Sequence, residues 1–328
     1  MPRLALAVLT LLVSNNDALS RAARARCEEP TNDSPRRLNC SAKSKASLEE
    51  WLRFQQTLRT EAAAYSNSDA VAHPSKQLPR LIMIGDSITE SFRGTAVGRA
   101  TERSVGLDRA LVEGNLAPHA PLVLAISGDE TQHLLWRLRA GGELSPALCA
   151  DEDAVISLLI GTNNIGNAGH SPKATAAGVM AVVREILQRT RARVLVNALL
   201  PRGLNPKKMA AIKGEGFAYK TVSLMPQVRE VNALLNQSIK TLRSDDASGS
   251  RLGPLLDCGS EFLSGASQEA VSSGRSNEVR LELMPDGLHP NLVGQTQWAQ
   301  CVLHGMQQLF GPRRRLRSKV RSKVRATR

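Results

Sequence analysis

Five short apolar runs, at 80–85, 121–126, 154–160, 193–199 and 254–258, recur along the chain with helix-patterned segments between and after them. That alternation constrains the fold more than any other feature. Short apolar runs bounded by turn residues read as buried strands. The intervening segments repeat apolar residues every three or four positions: Val179, Val183 and Ile186 in one, Val228, Val231, Leu235, Ile239 and Leu242 in another. A last helix carries Trp298, Val302, Met306, Leu309 and Phe310 on one stripe, with Pro290 near its first turn. Strands alternating with helices predict an α/β fold, a parallel sheet covered on both faces. Right-handed crossovers then bring the C-terminal ends of the strands to one edge, where ligands bind in such sheets.

Polar residues collect at that edge. The first strand ends in Gly85-Asp86-Ser87, the second in Ser127-Gly128-Asp129, the third in Gly161-Thr162-Asn163-Asn164, and a late loop reads Asp286-Gly287-Leu288-His289. Each has an ordinary structural explanation. Ser87 and Glu90 fit a capping box, Gly128 and Asn163 suit turns, Asp286 suits an Asx-turn, and His289 before Pro290 suits a solvent-facing helix start. Together they have the parts of nucleophilic catalysis. A serine hydroxyl is a poor nucleophile until an imidazole takes its proton, and a carboxylate must hold that imidazole in the right tautomer. Asp286 and His289, three residues apart, can serve Ser87 from one loop. The N–H groups of Ser87 and Gly128 and the amide of Asn163 would form the oxyanion hole. Activity is then expected to fall as pH drops through the His289 pKa, about 6.5 if unperturbed.

These segments resemble the four blocks of the SGNH (GDSL-type) hydrolases, and within them the catalytic subunits of intracellular platelet-activating factor acetylhydrolase. The resemblance rests on "IGDS" at 84–87, "GDETQHLLWRL" at 128–138, "GTNN" at 161–164, "LLPRG" at 199–203 and "DGLHPN" at 286–291, and covers roughly 80–310. It implies a three-layer α/β/α sandwich with a doubly wound, parallel five-stranded, flavodoxin-like sheet. It also implies serine esterase chemistry without metal or cofactor, with Ser87 as nucleophile, His289 as base, Asp286 as its partner, and Ser87, Gly128 and Asn163 as the oxyanion hole. Ser127 stands where those subunits carry a second glycine. Arg202, in "LLPRG", either contacts substrate or braces the rim. His133, in the shared helix, is expected to hydrogen-bond locally, and His73, His119, His170 and His304 have no partner pattern. No GxSxG, HExxH, Walker A or GxGxxG motif occurs, which removes the α/β-hydrolase, zincin, P-loop and dinucleotide readings.

Outside 80–312, the expected hydrolase domain, the chain reads as extensions. Residues 1–20 have a basic start, an apolar stretch from Leu4 to Val13 and small residues before Ser20, the pattern of a signal peptide. Secretion or the secretory pathway is the expectation; the alternative is an organelle or the cytoplasm. Residues 21–79 form an arm, an amphipathic helix opening with a capping box at Ser47 and Glu50, and a linker. No run reaches the roughly 20 apolar residues of a transmembrane span. Residues 313–328 hold nine Lys or Arg and no acid, so without them the formal charge of +13 falls to +4. This basic tail reads as disordered and able to bind a polyanion such as a heparin-like glycan, nucleic acid or anionic membrane. A polyanion-binding or adhesion protein on the same scaffold is therefore the alternative to an esterase of short acyl esters, acetyl first, of a carbohydrate or lipid. Cysteines 27, 40, 149, 258 and 301 fit no CxxC pattern; Cys27 and Cys40 are close enough to pair, and Cys258 and Cys301 read as core residues. Insertions at 204–226 and 259–283 leave the sheet at the catalytic edge and are expected to wall the pocket.

Overall fold

The computed structural model describes residues 45–65, 78–108, 114, 116–203, 224–245, 247–265 and 278–310. The leader, the arm with Cys27 and Cys40, most of the linker, residues 204–223 of the first insertion, 266–277 of the second and the basic tail lie outside the described residues.

Helix α1 (Lys45–Ala64) precedes strand β1 (Leu81–Gly85), whose Leu-Ile-Met-Ile-Gly run is buried at every position. The expected capping box at Ser47 falls inside α1, which begins two residues earlier. A one-turn helix, α2 (Ser87–Glu90), follows β1, then a small antiparallel hairpin of β2 (Thr95–Ala96) and β3 (Arg99–Ala100). The chain continues through β4 (Leu122–Ala125), α3 (Thr131–Leu138), α4 (Pro146–Ala150), β5 (Val155–Leu159) and α5 (Thr162–Gly166). It ends with α6 (Pro172–Arg189), β6 (Arg193–Val196), α7 (Met225–Asp245) and α8 (Leu292–Leu309).

The main sheet runs β4-β1-β5-β6, every pair parallel. The connections leave β1 first to one side and then to the other, so the order is doubly wound and the switch point lies at the end of β1. The expected fifth strand, 254–258, is not a regular strand. Two isolated parallel bridges, Val194 with Leu252 and Asn197 with Leu256, join it to the outer edge of β6. Leu256 N donates to Val196 O at 2.9 Å, but Pro254 between the bridges has no N–H and interrupts the ladder.

The helices cover this sheet with the stripes read from the sequence. Trp51, Phe54, Leu58 and Ala62 of α1 are buried, as are Val179, Val183 and Ile186 of α6, Val228, Val231, Leu235 and Ile239 of α7, and Trp298, Val302 and Met306 of α8. Trp298 stacks on Phe92, the ring centroids 5.3 Å apart. Phe310 lies past the end of its helix and is exposed, with the Arg193 guanidinium 4.3 Å over its ring. Cys258 and Cys301, expected as separate core residues, are bonded in a disulfide that ties the fifth-strand segment to α8. Cys258 is buried and Cys301 half-buried, and their separation of 43 residues does not reveal that they are neighbours. No helix among the described residues is long and apolar enough to cross a membrane.

Candidate active site

The site begins where β1 runs out. A Cβ at Gly85 would lie 2.3 Å from Leu159 O and 2.4 Å from Thr89 Oγ1, so only glycine lets the strand end sit this tightly against β5 and the following turn. Asp86 is the N-cap: its backbone is extended and its Oδ1 accepts from Ile88 N at 3.1 Å. The capping box expected at Ser87 is therefore not formed. Ser87 is already helical, and Glu90 turns away from it. The buried Glu90 carboxylate instead accepts from Thr95 Oγ1 (2.8 Å), Val97 N (2.9 Å), Gly98 N (2.8 Å) and Ser127 N (2.6 Å). It pins the β2–β3 hairpin and the end of β4 to α2, and the Ser87 hydroxyl is left to another partner.

That partner is His289, 202 residues away: its Nε2 lies 2.9 Å from Ser87 Oγ. The loop before α8 builds the imidazole's orientation locally. Asp286 Oδ1 accepts from Leu288 N (3.0 Å) and His289 N (2.7 Å), while Oδ2 lies 2.6 Å from His289 Nδ1. Asn291 then caps α8 by accepting from Gly294 N at 3.1 Å. With Nδ1–H donated to the carboxylate, the Nε2 lone pair points at the serine O–H, which is the tautomer a general base requires. Burial pushes the Asp286 carboxyl up, but the hydrogen bond and charge of His289 and two backbone N–H groups hold it well below the usual carboxylate range. His289 lies below an ordinary imidazole, first because it is buried and then because Arg103 and Arg202 oppose a second positive charge; the Asp286 hydrogen bond works the other way. Asp86, fully buried with Oδ2 unpartnered among the described residues, is pushed up to about 7, chiefly by burial.

Two further segments meet α2. Gly128 takes φ 82°, a left-handed conformation that a side chain would strain. Asn163 Nδ2 donates to Asp129 O at 2.9 Å and its Oδ1 accepts from Asn167 Nδ2 at 3.0 Å, which fixes the amide with its nitrogen toward the Gly128–Asp129 turn. Arg202 braces this rim: Nη1 donates to Thr162 O (2.6 Å) and Nη2 to Asn167 Oδ1 (3.3 Å). His133 acts locally, as expected, its Nδ1 accepting from Glu130 N at 3.0 Å.

Sequence reading missed two features. Arg137 is fully buried between Asp129 (2.9 Å) and Glu143 (2.7 Å), and Trp51 Nε1 donates to the same Asp129 at 2.8 Å. Arg137 Nη1 also reaches Gly85 O at 3.4 Å, so one cation ties the backbone before Ser87 to the turn at Gly128. Arg103, from the 3-10 turn Glu102–Ser104 after β3, places Nη1 3.4 Å from His289 Nδ1. Arg137 is the one charged residue of α3 and could have been singled out for that; Arg103 belongs to no motif. A groove of about 610 Å³ between α6 and α7 holds none of these groups. Among the described residues, no group of three His, Cys, Asp or Glu could hold a metal ion.

Comparison with known proteins agrees with this architecture. The model of the GDSL-like lipase/acylhydrolase family matches residues 83–297. Platelet-activating factor acetylhydrolase IB subunit alpha1 of Bos taurus is 31% identical over 140 residues, 42% of this chain and 51% of that protein. Subunit alpha2 of Gallus gallus is 33% identical over 132 residues, 40% of this chain and 48% of that protein. The chain thus spans about half the length of the curated relatives it matches. Among solved structures, a GDSL-like lipase from Bacteroides thetaiotaomicron shares the fold with a TM-score of 0.50 and 17% identity, covering 79% of this chain and 98% of that one. From the extent of the family match, the chain belongs to the GDSL-like lipase/acylhydrolase family, whose members are SGNH-type serine ester hydrolases.

Proposed function

We propose that the protein hydrolyses short acyl esters, acetyl esters first, of a carbohydrate or lipid alcohol through an acyl-enzyme on Ser87. The observation that carries this is the continuous chain of contacts from Ser87 Oγ to His289 Nε2 at 2.9 Å and from His289 Nδ1 to Asp286 Oδ2 at 2.6 Å. In the first half-reaction Ser87 Oγ bonds to the ester carbonyl carbon as His289 Nε2 takes its proton. Asp286 stabilises the imidazolium so formed. The N–H groups of Ser87 and Gly128, with the amide hydrogen of Asn163 that Asp129 does not use, receive the negative oxygen. Each such donor is worth on the order of 3 kcal/mol in the transition state. His289 then gives its proton to the departing alkoxide, and the acyl group stays on Ser87. In the second half, water loses a proton to His289 as its oxygen bonds to the acyl carbon; the bond to Ser87 Oγ breaks, His289 returns the proton to Oγ, and the acid is released.

The acetyl preference is supported by the acetylhydrolase names of the relatives. Location in the secretory pathway is supported by the leader pattern at 1–20 and by the Cys258–Cys301 disulfide, a bond that persists in oxidising compartments. The test is a panel of p-nitrophenyl acetate, butyrate and octanoate given to the wild type and to Ser87→Ala. The acetate is expected to have the highest kcat/KM, and the variant to lose on the order of a thousandfold or more of it. Equal rates for the two proteins would remove the enzyme reading; a preference for octanoate would remove the short-acyl reading alone.

A further inference from the structure

We propose that Arg103 is a positioning residue of this hydrolytic site: its guanidinium, held against the Nδ1 edge of His289, opposes protonation of the imidazole and keeps it available as a base. The inference rests on the serine-hydrolase reading of Ser87 and His289 and adds to it a group that no motif marks.

The geometry excludes the ordinary roles of an arginine. Nη1 stands 3.4 Å from His289 Nδ1, the same nitrogen that lies 2.6 Å from Asp286 Oδ2. A guanidinium has donors and no acceptor. When Nδ1 carries the proton it gives to Asp286, two donor groups face one another, and Arg103 acts on the ring through its charge alone. The opposite tautomer would let Nδ1 accept from Arg103, but it would give up the Asp286 contact and turn an N–H on Ser87, leaving nothing to take the serine proton. The shorter, ionic contact to Asp286 favours the productive tautomer.

Nor is Arg103 neutralised by a bidentate carboxylate. Its Nε and Nη2 are shielded from solvent and have no hydrogen-bond partner among the described residues. The carboxylates that act on it are Asp286, Glu90 and Asp86. Asp286 is engaged by His289 and two backbone N–H groups, Glu90 by four donors, and Asp86 Oδ1 by Ile88 N. Such a partly desolvated cation, lacking a forked partner, exerts its field on what it touches. The groups facing His289 are Asp286 from its own loop, Ser87 from α2, Arg103 from the segment after β3 and Arg202 from the segment after β6. Asp286 favours the imidazolium; both arginines and burial oppose it. Arg202 has its fork engaged with Thr162 and Asn167, so Arg103 is the cation in direct contact with the ring.

The test is the pH dependence of kcat/KM for p-nitrophenyl acetate in the wild type, Arg103→Met and Arg103→Lys, beside a direct NMR titration of the His289 ring. Removing the charge is expected to move the acid limb and the ring titration to higher pH by on the order of one unit. Arg103→Lys is expected to stay close to the wild type. A merely structural arginine would change the rate without moving either titration. Coincident titrations for wild type and Arg103→Met, or a Lys variant that behaves as Met does, would overturn the inference. Should the Met variant not fold, Arg103→Gln replaces it and is read by the same criterion, coincident titrations overturning the inference. The ring titration does not depend on hydrolysis, so a failure here is distinct from loss of the esterase reading, which Ser87→Ala decides.

Discussion

Replacing Arg137 with Met would leave Asp129 and Glu143 facing each other across a site from which water is excluded. All three side chains are fully buried, and Arg137 contacts the two carboxylates at 2.9 and 2.7 Å. Both charges were desolvated on folding, and the cation that offset that penalty would be gone. Breaking a buried ion pair from one side costs about 3–5 kcal/mol. Against a total stability of roughly 5–15 kcal/mol that is a large share. The loss should also depend on pH in a definite direction. A buried carboxyl that has lost its cation has a folded pKa above its unfolded value near 4, so the stability it allows is present at low pH and lost as pH rises through the folded pKa. The deficit of Arg137→Met is therefore greatest near pH 7.5 and shrinks toward pH 5. Urea unfolding followed by tryptophan fluorescence measures it, and Trp51, bonded to Asp129 at 2.8 Å, reports from the network itself. A deficit below about 1 kcal/mol at pH 7.5, or one that grows on acidification, would refute the reasoning. Because Arg137 also reaches Gly85 O, the folded variant should lose esterase rate through displacement of the Ser87 and Gly128 backbone.

Asp86→Asn keeps an oxygen for the Ile88 N–H but removes a buried charge whose pKa is raised to about 7. The sign follows: the variant should gain stability as pH rises above about 4, reaching on the order of 4 kcal/mol near pH 8, and should match the wild type at pH 3. Equal urea midpoints at pH 8 would contradict it. Removing the Cys258–Cys301 bond by a double Ala substitution opens a loop of 43 residues, for which chain entropy gives a loss of about 4 kcal/mol. Calorimetry should show a lower Tm, and an unchanged one would count against a bond in the folded protein.

The strands β1, β4, β5 and β6 were legible because each is a nearly continuous apolar run, interrupted only by Ser157 in β5 and Arg193 at the start of β6, as suits strands covered on both faces. The fifth was legible as a position but not as an irregular one, since Pro254 breaks the ladder without disturbing the apolar run. The hairpin of β2 and β3 left no trace: two-residue strands have no periodicity, and this one is held by Glu90, whose charge looked like part of a helix cap. Ser87, Asp286 and His289 could be read because the chemistry demands those residue types at the ends of particular segments. Arg103 and the Cys258–Cys301 bond depend on contacts between segments distant in sequence, and Arg137 pairs with Asp129 and Glu143, only 8 and 6 residues away, on a burial that no local pattern shows. A charged residue in a short helix reads as surface until its partners are known, and a scattered set of cysteines does not disclose its pairing.

The central claim, that Ser87 is activated by His289, is tested most directly by covalent labelling. The folded protein is treated with a fluorophosphonate at pH 8, quenched in acid and mapped by mass spectrometry. One phosphonyl group is expected on the peptide containing Ser87, formed at a much lower rate in His289→Ala and absent in Ser87→Ala. Labelling on a different residue, or equal labelling rates with and without His289, would contradict it.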